Sequence, residues 1–365
     1  MSFRNVFVKW QNRFFSDEEA INFALLFIFF FASLIFLGSI LMPFLIAVVI
    51  TYLLEGVVIR LKRIGLSEMH AVLLSFGLFM GVLVALIFWL IPLSWHQLVT
   101  LVRDFPSMIR TGQSWLNELH IRYPHLISQE QINNIVNDTI GEIRHLGHYL
   151  ISISLSGIPG LLALLVYLIL VPILVFFMLK DRRQLVDFVA SMMPQKRTLM
   201  SKIWQEMDGQ IANYIRGKVL EIIIVAIVSW ICFFALGLNY AELLAMLVGL
   251  SVLVPYLGAA VVTVPVALVA LFQFGLSGDF VWVLVVYGII QLVDGNILAT
   301  LLYSETVNIH PVSTILAVLF FGGIWGFWGV FFAIPLATLL KAIFNTWPHV
   351  LEETRHEDHL TKPSD

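Results

Sequence analysis

Residues 243–274 read LLAMLVGLSVLVPYLGAAVVTVPVALVALFQF, a run without one Asp, Glu, Lys or Arg. As one helix it would measure about 48 Å. A bilayer core is about 30 Å thick. The run is therefore too long for one straight crossing, and Pro255 to Gly258 breaks it near the middle. Pro removes a backbone donor, and Gly permits an unusual turn. Broken backbone at membrane depth is tolerated only where it is buried in protein or lines a wet cavity.

The surroundings extend the pattern. From 219 to 340 there is no Lys or Arg, and the only acids are Glu221, Glu242, Asp279, Asp294 and Glu305. Over the whole chain of 365 residues, 59% are hydrophobic and 12% charged. That charged share is about half that of a soluble domain. The expected fold is all-α, a polytopic membrane protein with about eight membrane segments in the lipid bilayer. The net charge of −3 gives no footprint for nucleic acid. Cys232 is the single cysteine, so no internal disulfide can form. No cleavable signal peptide is read; Ser16-Asp17-Glu18-Glu19 reads as a capping box before a long apolar helix.

Upstream, residues 20–54 carry no charge, and Gly38, Ser39 and Pro43 suggest two helices joined by a turn. The expected order is an N-terminal segment 1–19, three membrane helices in 20–95, and a helical insert in 96–149. A fourth membrane helix follows in 150–180, then an amphipathic segment in 181–218. A transport block occupies 219–345 and a tail 346–365. In the insert, Ser128 to Gln131 reads as a cap, and Ile132, Ile135, Val136, Ile140 and Ile143 fall at helical spacing. Ile203, Met207, Ile211, Tyr214 and Ile215 form an apolar stripe in 181–218, expected at the interface. Basic residues cluster in the N-terminus, in 60–69 and in 180–218. They place these segments inside, both termini cytoplasmic and the insert outside.

Two topologies satisfy that parity. Either 241–274, 280–299 and 311–341 are three full spans, or the first and last are re-entrant hairpins around a single crossing. The breaks at Pro255–Gly258 and Gly322–Gly326 favour the hairpins.

Candidate chemistry lies in the same block. Paired Gly- or Pro-interrupted apolar segments are the best sequence pointer to a transporter's site. Pro255 and Gly258 therefore belong to the expected pathway. Tyr256, Gly322, Gly323 and Gly326 are candidate tips or gates. Gln291 and Asp294 share a helix face, with Asn296 close by. A carboxylate so deep in an apolar run is costly unless it meets a partner, water or an ion. Asp294 thus suits a proton- or cation-coupled step. A capped helix end near the headgroups would explain it equally. His310-Pro311 reads as an ordinary helix start, with His310 a candidate relay. Glu242 and Asp279 read as caps, and Glu55 as a partner of Arg60. Gly275-Leu276-Ser277-Gly278 matches a short intramembrane-protease motif, too brief to carry an assignment. No nucleotide, metalloprotease or dinucleotide motif appears. Neither a cofactor nor a metal is expected, and an enzyme is the least favoured class.

Several stretches carry a family resemblance. These are Leu41-Met42-Pro43-Phe44-Leu45-Ile46-Ala47, Tyr214-Ile215-Arg216-Gly217, Val254-Pro255-Tyr256-Leu257-Gly258 and Gln291-Leu292-Val293-Asp294-Gly295-Asn296. Leu302 to Pro311, and Gly322-Gly323 to Ala333-Ile334-Pro335, continue it. Over roughly 20–345 the chain resembles the autoinducer-2 exporter family of bacterial permeases, and within it the PerM-like members. Where members carry Pro four positions after the Asn, this chain has Thr300. The resemblance implies an inner-membrane permease for a small polar solute or cation, with export in some members and sodium/proton antiport in others. It also implies a homo-oligomer, pentamers being among the assemblies it suggests. A passive channel, or a scaffold binding a partner through the 96–149 insert, remain as alternatives.

Overall fold

The computed structural model describes residues 18–122, 158–192, 198–255, 257–303 and 310–342, with scattered positions between 129 and 141. Tyr256, the tail and most of the N-terminal segment lie outside the described residues, as do Ser16, Asp17 and Ser128 of the two expected capping boxes. The described chain is helical, with no strand among the described residues. It is an all-α polytopic membrane protein. Five of its helices are long and apolar enough to cross a bilayer.

In order, α1 is Glu18–Arg63, α2 Glu68–Ala85 and α3 Ile91–Arg122, the last two joined by a π-helical turn, Leu86–Leu90. Next come α4 Ile158–Lys180, α5 Arg182–Ser191, α6 Thr198–Ala235, α7 Ala241–Ser251 and α8 Leu257–Phe274. α9 is Gly278–Val293 and runs through a second π-turn, Asp294–Leu298, into α10, Ala299–Tyr303. α11 is Pro311–Trp325 and α12 Phe327–Ala342.

Contacts divide these helices into two units. One comprises the residues up to Phe76, Leu170–Val219 and those from Leu301 onward. The other comprises Gly77–Ile169 and Leu220–Thr300.

In the first unit, α1 is one helix of 46 residues with Pro43 inside it. The turn expected at Gly38–Pro43 does not form. Lipid offers no partner for backbone groups that a turn would free, so the helix is kept and Pro43 costs one hydrogen bond. Glu55 pairs with Arg182, not with Arg60 as the sequence suggested. Beside this pair the Tyr52 hydroxyl donates to Asp208 Oδ1 at 2.6 Å, and Arg216 Nε donates to Tyr52 O at 3.2 Å. The expected interfacial stripe sits on α6, which continues unbroken for 38 residues. Its Met207, Tyr214 and Ile215 are buried in protein. The Tyr214 hydroxyl donates to Phe331 O at 3.1 Å and so joins α6 to α12.

α11 and α12 fold back on each other. Gly326, between them, has φ +59°, a region open mainly to glycine. A Cβ at Gly322 would stand 2.9 Å from Val330 Cγ2. Residues eight apart in a continuous helix are separated by about 12 Å, so the chain must reverse at Gly326.

The second unit holds the larger apolar core. Val225, Phe233, Leu244, Val248, Val266, Val269, Val283 and Tyr287 meet there, from α6, α7, α8 and α9. α7 and α8 form a second hairpin. The amide of Asn239, just before α7, donates to Gln273 Oε1 at 2.7 Å, and Gln273 Nε2 donates to Gly237 O at 2.7 Å. The end of α8 therefore returns to the start of α7. Described residues of the insert pack back on α3: Val136 and Ile140 meet Ile109 and Phe105, and Gln129 Nε2 donates to Asn117 Oδ1 at 3.1 Å.

Candidate functional site

Along α9 three polar residues of the second unit follow one another. Tyr287, Gln291 and Asp294 are spaced four and three apart, which puts them on one helix face. Around them α9 is apolar, and its start is fixed by Ser277, whose hydroxyl accepts from Phe280 N. Ser277 thus has an ordinary capping role. It also lies in the motif set aside above.

The Tyr287 side chain is buried. Its hydroxyl donates to Ala259 O at 3.0 Å and accepts from Thr263 Oγ1 at 3.2 Å. Ala259 and Thr263 lie in the first turns of α8, directly after the break. Tyr287 therefore joins the α7–α8 break to the α9 face, two features that the sequence offered separately. Its ring also packs on Phe233, with centroids 6.4 Å apart.

One turn further along α9 stands Gln291. Its Nε2 is buried and makes no hydrogen bond among the described residues. An unfilled buried donor costs about 1–3 kcal/mol. Asp294 follows, buried at 8% exposure. It opens the π-turn Asp294–Leu298 and its carbonyl accepts from Ala299 N. Single π-turns inside α-helices recur at functional sites, because they widen the helix and re-aim its side chains. Asn296 is exposed, and its Nδ2 donates to Leu292 O at 2.9 Å. Positions two apart do not share a face, so Asn296 points elsewhere than Asp294. The Thr300 hydroxyl donates to Asn296 O at 2.7 Å, a bond common for threonine inside a helix.

At the break, Gly258 is buried while Pro255 is half-buried. Backbone groups are satisfied locally: Leu257 N donates to Pro255 O at 2.7 Å, and Gly258 N to Val254 O at 2.9 Å. A Cβ on Gly258 would lie 2.6 Å from the Ser251 carbonyl carbon. Only glycine allows the chain to close so tightly.

The other end of the hairpin is held from α3. Gln97 Nε2 donates to the Glu242 carboxylate, and Gln97 Oε1 accepts from Leu243 N at 2.9 Å. Glu242 is thus fixed by a neighbouring helix and not only by its own helix start. Tyr240, in the left-handed region at φ 58°, donates to Asp104 Oδ2 at 2.8 Å. Burial, then the bond to Asp104 and its charge, push the Tyr240 hydroxyl up to about 12. It therefore remains a donor at any physiological pH.

The remaining candidates belong to the first unit. His310 is the N-cap of α11, its Nδ1 accepting from Val312 N at 3.3 Å, and Pro311 takes the first helical position. Gly322 and Gly323 are in the last turns of α11, and Gly326 is the turn itself. The described residues contain no group of three or more His, Cys, Asp or Glu placed to hold a metal. Sequence reasoning missed Tyr287 and Thr263. An aromatic residue and a threonine inside apolar runs read as packing, and only their approach across two helices gives them another meaning.

The sequence profile described as AI-2E family transporter matches residues 24–349. The chain is 46% identical to permease PerM of Escherichia coli (strain K12) over 341 residues, 93% of this chain and 97% of that protein. It is 27% identical to the transport protein YueF of Bacillus subtilis (strain 168), covering 85% of each. A transport protein of Thermotoga maritima is 22% identical over 89% of this chain and 96% of its own length. The chain belongs to the AI-2E transporter family, a family of multi-pass membrane permeases.

Proposed function

We propose that the protein is a secondary transporter moving a small polar solute or ion, with proton or sodium coupling at Asp294. The observation that carries this reading is the face Tyr287–Gln291–Asp294, where a buried carboxylate at a π-turn adjoins a buried amide with an unfilled donor. Ionisable groups at such depth mark ion and proton pathways. Gln291 Nε2 offers a neutral donor to a polar solute, and Tyr287 relates occupancy of the site to the α7–α8 break. Both hairpins dip into the membrane and leave by the face they entered, and their tips gate access. The protein works in a bacterial inner membrane as a homo-oligomer, with cytoplasmic termini.

The test is flux in proteoliposomes against a panel of small polar solutes, with imposed pH and sodium gradients. Gradient-dependent flux is expected for the unaltered protein, and its loss in Asp294→Asn. Loss of flux with normal folding and insertion supports the role. Undiminished gradient-driven flux in Asp294→Asn would overturn it. Non-saturating flux indifferent to both gradients would instead show a passive channel.

A further inference from the structure

After α4 the chain turns by 83° into α5. α4 has 23 residues, about 34 Å, enough to cross a bilayer core of about 30 Å. A helix nearly perpendicular to a crossing helix, and starting one residue beyond its end, lies along the membrane surface.

α5 has no buried residue. Its Leu185, Phe188, Val189 and Met192 are spaced three, one and three apart and so share one face. They are 44%, 59%, 51% and 70% exposed. Arg183 and Asp187, four apart, take the opposite side. Arg182 is engaged with Glu55 of α1, which ties the start of the helix to the first unit. A ten-residue helix is marginal on its own in water and needs an apolar surface for its apolar face. No protein surface among the described residues covers this one. The basic side chains Lys180 and Arg183 are both exposed at its start.

We propose that α5 is an in-plane membrane anchor. Leu185, Phe188, Val189 and Met192 enter the boundary between headgroups and acyl chains, and Lys180, at the end of α4, binds the phosphate of an anionic lipid headgroup. Three observations choose the bilayer over other occupants: direct continuity with a crossing helix, the perpendicular bend, and basic residues on an apolar-faced helix. The Glu55–Arg182 pair makes α5 a fixed strut and not a free arm.

The test uses the full-length protein with Cys232→Ser, carrying one introduced cysteine: Phe188→Cys, Met192→Cys, Gln184→Cys or Asp187→Cys. Each is labelled with a nitroxide and reconstituted in phosphatidylcholine vesicles with or without phosphatidylglycerol. Labels at 188 and 192 are expected to be open to oxygen and shielded from a water-soluble relaxant, and labels at 184 and 187 to show the reverse. A fluorophore at 188 is expected to be quenched more by brominated phosphatidylglycerol than by brominated phosphatidylcholine at equal fraction. Lys180→Gln should remove that preference, and Arg183→Gln, on the opposite side of α5, should leave it. Each basic group near an anionic surface enriches such lipids about fivefold. Water exposure of the labels at 188 and 192 would overturn the anchor, and so would crosslinking between two copies through position 188. Equal quenching by the two lipids in the unaltered helix would overturn the headgroup assignment.

Discussion

Replacing Gly258 with Ala tests the hairpin of α7 and α8 at its tightest point. The added Cβ would stand 2.6 Å from the Ser251 carbonyl carbon and 3.1 Å from Ser251 Cα, where ordinary contact begins at 3.4 Å. The obstacle is backbone, so no side chain can swing away. The carbonyl of Ser251 is also held, accepting from Val254 N at 3.0 Å. The Ser251 carbonyl oxygen is closer still, so the hairpin must open by more than an ångström, which disturbs a core shared with Val248 and Val262. Overpacking of this kind costs about 1–3 kcal/mol. Gly→Ala within an unobstructed helix does the opposite and gains up to about 1 kcal/mol. Gly288, in the middle of α9, is such a site, with nothing within 4 Å of an added Cβ. The two substitutions should therefore differ in stability by about 1–4 kcal/mol in sum. The assay is thermal unfolding of both variants in the same detergent, with hydrogen exchange followed over 241–274. Gly258→Ala should lower the midpoint and speed exchange in the hairpin, while Gly288→Ala should leave exchange there unchanged and hold or raise the midpoint. Equal midpoints and equal exchange for Gly258→Ala and the unaltered protein would show that the hairpin does not close as described.

Further substitutions probe the contacts around the hairpin. Tyr287→Phe removes the donor to Ala259 O and should cost about 1 kcal/mol, seen as a lower unfolding midpoint with reduced solute flux in vesicles. Gln273→Leu removes both bonds that close the base of the hairpin and should cost about 2 kcal/mol; proteolysis within 236–240 should quicken. Gln97→Met leaves the Glu242 carboxylate without its donor from α3 and should cost about 1.5–3 kcal/mol. Combining it with Glu242→Gln should restore part of that loss, because paired residues are not additive. Gly326→Ala places a side chain at φ +59° and should cost about 1–2 kcal/mol, read as a lower midpoint that Gly323→Ala does not share.

Much of this was legible in the sequence. The apolar runs, the near-absence of charge after Val219 and the breaks at Pro255–Gly258 and Gly322–Gly326 announce a helical membrane protein with interrupted segments. Chain reversal was also favoured on the expectation of arms of about 15 residues, too short to span; α7, α11 and α12 are that short, but α8, with 18 residues, is long and apolar enough to cross. Gln273 was passed over because a single polar residue at the end of an apolar run looks like an ordinary terminus; its partners lie 34 and 36 positions away. Gly38 and Pro43 resemble the break at Pro255–Gly258 in composition, yet α1 runs straight through them. Local breakers reverse a chain only where tertiary contacts then reward the reversal. Glu55 likewise had a plausible near neighbour in Arg60, but the 83° bend after α4 brings Arg182 to it instead. At the candidate site, Gln291 and Asp294 could be paired from spacing alone. Tyr287 could not, because its meaning depends on Ala259 and Thr263 across another helix.

The clasp made by Gln273 also bears on how the chain is assembled. α7 and α8 are consecutive helices, and pairings between neighbouring elements form quickly. The hairpin can close as soon as its last turn has left the ribosome, without waiting for α9 or α11. Residues 219–340 carry no Lys or Arg to fix their direction during insertion. If the α7–α8 hairpin leaves the membrane by the face it entered, as proposed, it needs no such instruction. Early closure at Gln273 would thus do during synthesis the orienting task that positive loops perform elsewhere in the chain.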